Sequence, residues 1–189
     1  NSLFPEVAAL AEIAFAVTGT VTYANRLVAA VSTSKNAAGK DLTATQQLNI
    51  KKVNGDFFSR VGEATSDPII TVVGKVAAGE WIDNIVGRDN MQVDLEADLT
   101  NLLIRQKASK IAFNNKGANQ LRSVIQSVLT LYTEEGIHNF IEDDFEIIIP
   151  DQANFNAADK TTRTFTQITF KATLTNAIHM VTLTGTLSL

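Results

Sequence analysis

From Thr166 to Thr175 the chain reads TQITFKATLT, which from Gln167 onward alternates strictly between polar and apolar residues. Ile168, Phe170, Ala172 and Leu174 fall on one side, with Thr169, Lys171 and Thr173 on the other. A period of two fits only a half-buried strand, because successive side chains of a strand point to opposite faces. Asn176 then marks a turn, after which IHMVTLTGTLSL carries Val181, Leu183, Leu187 and Leu189 in phase with one another. A chain with this ending must build a sheet. The pattern predicts that residues 164–189 form a C-terminal β-hairpin.

Upstream, the apolar period changes to that of helices. Pro5 suits the first turn of a helix carrying Val7, Leu10, Ile13 and Ala14 along one side. LTATQQLNIKKVN predicts a second helix, capped by Thr43 or Thr45 and stopped by Gly55. Met91, Leu95, Leu99, Leu102 and Leu103 predict a third, with Asp89 or Asn90 as its cap. A fourth follows Asn114 or Asn115, burying Leu121, Val124, Ile125, Val128, Leu129 and Tyr132. Strands are expected in GTVTYANRLVAAVS, DFFSRVGE, PIITVVGKVA, KIAF and FEIIIP. The sum is one α/β (α+β) domain over residues 1–189, a mixed β-sheet flanked by helices, with no internal repeat.

Composition narrows the function classes. The chain is 45% hydrophobic with a net charge of −4, which argues against a nucleic-acid binder held by bulk positive charge. No apolar run approaches a bilayer span, so no membrane insertion is expected. Glu6 and Glu12 interrupt the opening apolar stretch, which also lacks a basic start, so it does not read as a signal peptide. The missing initiator Met points to a processed or truncated product. Cysteine is absent, which excludes disulfides, thiolate nucleophiles and Cys-ligated metals.

The densest chemistry lies in GEWIDNIVGRDNMQVDLEADLTNLL, which holds the single Trp of the chain and a crowd of carboxylates. Asp94, Glu96 and Asp98 read as the solvated, dipole-matched start of a helix whose last turn carries Arg105 and Lys107. Trp81, Asp83, Gly87 and Asp89 read as a structural turn before that helix, with Arg88 as a partner for the acids. His179 reads as a core or interface histidine. EDDFE lacks the spaced ligands and Gly of a calcium loop, and VVGKVAAGE lacks the flanks of a phosphate loop. No catalytic residue, cofactor or metal is expected. Charge is segregated instead: the stretch from Arg105 to Arg122 holds Lys107, Lys110 and Lys116 without an acid, between two acidic blocks. Such blocks suit contacts between identical subunits.

FPEVAAL, LTATQ, GEWIDNIVGRDNMQVDLEADLTNLL, KIAFNNKGANQLRSVIQSVL, EEGI and the closing IPDQANFNAADKTTRTFTQITFKATLTNAIHMVTLTGTLSL occur in that order. The series resembles the C-terminal part of the sheath proteins of contractile bacteriophage tails. The resemblance implies a non-enzymatic structural protein of the virion, assembled in the host cytoplasm. It would polymerise with its own copies around the tail tube and contract when the baseplate triggers. It also implies that the last strand, with Thr182, Leu183, Thr184, Leu187 and Leu189, links subunits. Lys107, Lys110, Lys116 and Arg122 are the charged residues expected to face the tube or a neighbour. The sequence leaves two alternatives: a tail or neck protein reusing the domain, and a hydrolase or lyase using Asp83 and Asp89.

Overall fold

A computed structural model describes residues 4–14, 16–29, 31–62, 64–105 and 110–179. The fold is a mixed α+β one, with helices and small antiparallel strand pairs. It comprises two compact units. The first is Asn1–Ala16, Val21–Ile85 and Asn176–Leu189; the second is Val17–Thr20 and Val86–Thr175.

The first unit contains helix α1 (Pro5–Ala14), helix α2 (Ala44–Lys52) and strands β1 (Phe58–Arg60) and β2 (Ile69–Thr71). Thr43 caps α2 in a reciprocal capping box with Gln46, so the predicted start is correct and two of the orphan amides of the helix end are satisfied. β1 and β2 pair antiparallel in the register Ser59 to Ile70. The expected strand over residues 19–32 is not formed. Asn25 sits at a positive φ of 57° and interrupts it; the stretch still bonds β2 through Asn25 N, Val28 N, the Arg26 carbonyl and the Tyr23 carbonyl, which accepts from the Thr71 hydroxyl. Asp56 fastens the other side of this unit: its carboxylate accepts from the backbone amides of Phe57, Val72, Val73 and Gly74 at 2.8–3.1 Å. A small core gathers around Ala9, Val28 and Val31. Only part of α1 joins it, and the expected apolar side carrying Val7 and Leu10 faces outward.

The structure also corrects the expectation of no internal repeat. KNAAGKD (35–41) and KVAAGEW (75–81) fold into the same loop. Lys35 bridges Asp41 as Lys75 bridges Trp81, and Asn36 N to Lys40 O matches Val76 N to Glu80 O. Gly39 and Gly79 each take a positive φ, 72° and 94°, which glycine adopts without steric cost. Each loop delivers the chain into a helix: the first into α2, the second into α3 (Ile82–Arg105).

In the second unit, the later part of α3 and α4 (Asn115–Tyr132) bury a common core of Met91, Ile125, Val128, Leu129, Tyr132, Phe140 and Ile141. Asn114 caps α4 by accepting from Gly117 N, as predicted. Val124 and Leu121 lie on the half-buried flank of the predicted stripe. Strands β3 (Glu146–Ile148) and β4 (Thr169–Lys171) pair antiparallel, joined by an antiparallel bridge of Ile141 to Leu174 and a parallel one to Thr133. Helix α5 (Ala157–Thr162) ends with Arg163 in the left-handed region, and buried Asp159 accepts from the Thr166 amide and hydroxyl. Those bonds hold the Asp159 carboxyl below its ordinary range. The strand expected at KIAF is not formed among the described residues, and within the predicted hairpin β4 pairs with β3; the second strand of that hairpin lies outside the described residues.

Candidate functional site

The expected turn at Trp81 to Asp89 is a helix. Trp81 closes the 75–81 loop and its carbonyl accepts from Ile85 N, so α3 starts at Ile82, about two turns before the predicted cap. Asp83, Gly87 and Asp89 therefore lie inside α3. A mid-helix glycine resembles a stop signal, yet here it is a fitted surface, since a Cβ on Gly87 would overlap the Phe140 ring. Asp83 accepts from the adjacent Asn84 amide, and Asp89 forms an exposed pair with Arg88 at 3.5 Å. Among the described residues, no group of three or more His, Asp or Glu is placed to hold a metal ion.

Trp81 itself is a junction within the first unit. The Lys75 ammonium lies 4.4 Å from its ring centroid, a cation–π contact. The imidazole of His179 meets the indole edge-to-face at 4.2 Å and 70°. His179 Nε2 is 2.9 Å from Thr22 Oγ1, and its carbonyl accepts from Asn25 Nδ2 at 3.0 Å. The histidine expected in a core or interface is thus tied, within the chain, to residues more than 90 positions earlier in sequence. The contact was invisible in the sequence because nothing local relates GEW to AIH.

The early start of α3 changes the meaning of its carboxylates. Asp94, Glu96 and Asp98 sit in the middle of the helix, away from the N-terminal dipole. Asp94 has a specific task in the second unit: the Tyr132 hydroxyl donates to its Oδ2 at 2.6 Å. Burial first, then the Asp94 carboxylate, push the Tyr132 phenol well above its ordinary value. His138 stacks on the Tyr132 ring at 4.1 Å and 13°, with Nδ1 2.8 Å from the Thr18 carbonyl oxygen. Tyr132 is fully buried, so its ring and hydroxyl pack and orient the core, while the Asp94 carboxylate that accepts from it lies on the exposed side of α3 and His138 is half-buried. Glu96 accepts from Gln92 at 2.8 Å on the exposed face. Leu103, expected in the buried stripe, is 62% exposed.

Of the expected basic contacts, Lys110 and Lys116 are exposed, while Arg122 is half-buried with its Nε lacking a hydrogen-bond partner among the described residues. Lys107 lies outside the described residues, as do Thr182, Leu183, Thr184, Leu187 and Leu189. An apolar cavity of about 580 Å³ opens between α3 and α4, lined by Leu95, Leu99, Phe113, Phe155 and Phe165. No helix among the described residues is long and apolar enough to cross a membrane. Comparison with protein-family models and with curated proteins finds no match to this chain.

Proposed function

We propose that the chain is a structural subunit of a contractile phage tail sheath, acting without catalysis in the virion. In this reading it polymerises with its own copies around the tail tube and contracts on a signal from the baseplate. The observation that carries the proposal is the ordered series of sequence blocks from FPEVAAL to IHMVTLTGTLSL, which spans nearly the whole chain. The surface favours association. Val7 and Leu10 expose most of their side chains on α1, and Val93, Leu103 and Ile104 do so on α3. Large apolar residues grouped on a surface mark interaction sites more often than isolated ones do. The exposed Lys110 and Lys116 supply positive charge for an acidic neighbour or tube.

Negative-stain electron microscopy of the protein, with and without tail tubes, tests the reading directly. Rings, tubes or sheath-like polymers are the expected result, and their absence under both conditions would refute it. Deleting residues 182–189 should leave a folded protein that no longer polymerises.

A further inference from the structure

Helix α1 is packed the reverse of the usual way. It turns its small residues inward, with Ala9 fully buried and Ala8 half-buried against the first unit's core. Val7, Leu10, Ala11 and Ala14 are all exposed, at the i, i+3, i+4, i+7 spacing of a single helix face. That spacing is how an amphipathic helix anchors itself in an apolar groove. The helix carries Glu6 and Glu12 and no Lys or Arg. Glu12 lies 4.0 Å from Arg26, whereas Glu6 is exposed and forms no ion pair among the described residues.

The second unit holds the complementary shape. Its apolar cavity of about 580 Å³ has Leu95, Leu99 and Leu103 of α3 along one wall and the small Gly117 and Ala118 of α4 along the other. Phe113, Phe155 and Phe165 line it too, each ring edge-to-face with the other two at 4.9–5.7 Å, so this lining is set before anything docks. Leu95 to Leu103 spans ~12 Å of helix and Val7 to Ala14 about 10 Å, at 1.5 Å per residue. Among the described residues no acid lines the cavity, and its one charged lining residue is Arg163, which is exposed and forms no ion pair. The exposed Lys116 adjoins the same wall. An acidic helix with a two-turn apolar face thus matches an apolar groove with a basic edge, and the chain carries one of each. The geometry points to a head-to-tail contact in which α1 of one copy lies in the α3–α4 cavity of the next, with Glu6 against Arg163. This inference rests on the self-assembling part of the reading above. Two different surfaces meet in such a contact, so every copy keeps one of each to offer and the chain of copies can grow.

The test uses the full chain in sedimentation velocity over a concentration series, with Leu10→Glu to spoil the helix face and Leu103→Glu to spoil the groove. Both leucines are 62% exposed, so each variant should keep the melting transition of the unaltered protein. Each should weaken self-association about tenfold or more, because a carboxylate is forced into an apolar contact. Mixed one to one, they should recover a two-copy complex, since one intact helix then faces one intact groove. Glu6→Lys and Arg163→Glu give a second set at exposed positions: each alone should weaken association several-fold, and the two together on one chain should restore it. An unaltered protein that stays monomeric, variants that associate as tightly as it does, or a mixture no tighter than either variant would each overturn the contact. No recovery in the Glu6→Lys, Arg163→Glu double variant would overturn the assigned pairing. If the variants and their mixture behave as expected but microscopy shows no tubes or rings, the contact stands and the sheath reading fails. If all variants form tubes as the unaltered protein does, the sheath reading stands and the contact is lost.

Discussion

Replacing Asp94, an exposed helix residue, by Ala should cost as much stability as many core substitutions. The reason is its partner. The Tyr132 hydroxyl lies in a fully buried side chain and donates to Asp94 Oδ2 at 2.6 Å. Removing the acceptor leaves a buried O–H without a partner, which costs roughly 1–3 kcal/mol, about 2 kcal/mol here. Tyr132→Phe removes the same bond but strands only a carboxylate that water reaches, so it should cost less, about 1 kcal/mol. In the Tyr132→Phe background Asp94→Ala should become nearly neutral, within about 0.5 kcal/mol, which is the coupling a double-mutant cycle isolates. Asp98→Ala, one turn further along the same helix, is the internal control and should stay within about 0.5 kcal/mol. Urea titrations followed by circular dichroism give each value from the midpoint at constant slope. The reasoning is refuted if Asp94→Ala costs no more than Asp98→Ala, or if its cost persists undiminished once Tyr132→Phe has removed the hydroxyl.

Gly87→Ala should destabilise by about 1–3 kcal/mol despite the better helix propensity of Ala, because the new methyl enters the Phe140 ring; thermal melting decides the sign. Asp56→Ala should cost about 1–2 kcal/mol, since the amides of Phe57, Val72, Val73 and Gly74 lose a common acceptor, and amide exchange at 72–74 should rise with it. The two tyrosines, Tyr23 and Tyr132, are both held above their ordinary 10.0, each chiefly by burial, with Asp56 and Asp94 respectively adding to the effect. Their contribution to stability is therefore full below pH 10 and is lost as pH rises through the folded values, so native protein at pH 10 should show far less tyrosinate absorbance than the same protein in denaturant. Equal absorbance in the two would contradict the burial of both rings.

Local chemistry was the part of this fold that the sequence made legible. Thr43 with Gln46, and Asn114 before its apolar stripe, are capping signals complete within four residues, and both helices start where those signals place them. The α4 core residues followed from helical period alone. What failed depended on distant partners. Gly87 looked like punctuation because Phe140, the ring that occupies its missing side chain, lies more than fifty residues away. Val7 and Leu10 looked like core because period reports a face and not what covers it. Asp94 looked like a solvated acid because its hydroxyl partner is 38 positions on. The junction at Trp81 was hidden for the same reason, with its parts drawn from residues 22, 25, 75, 81 and 179.

The two matching loops differ in where their support comes from. In the first, Asn36 Oδ1 accepts from the amides of Ala38 and Lys40, and the Lys35 ammonium closes on Asp41 at 2.6 Å. It is nearly self-contained: the Thr33 hydroxyl, just upstream, also donates to Asp41, and the other side-chain groups that shape it come from the loop itself. In the second, Val76 replaces Asn36, and the tip carbonyl of Ala77 accepts from Asn54 Nδ2 instead. The same backbone path is thus written once as local grammar and once as a sentence completed elsewhere. A change at Asn54 will be felt at the loop leading to Trp81 and not at its twin, so one shape occurring twice in this chain has two independent points of control.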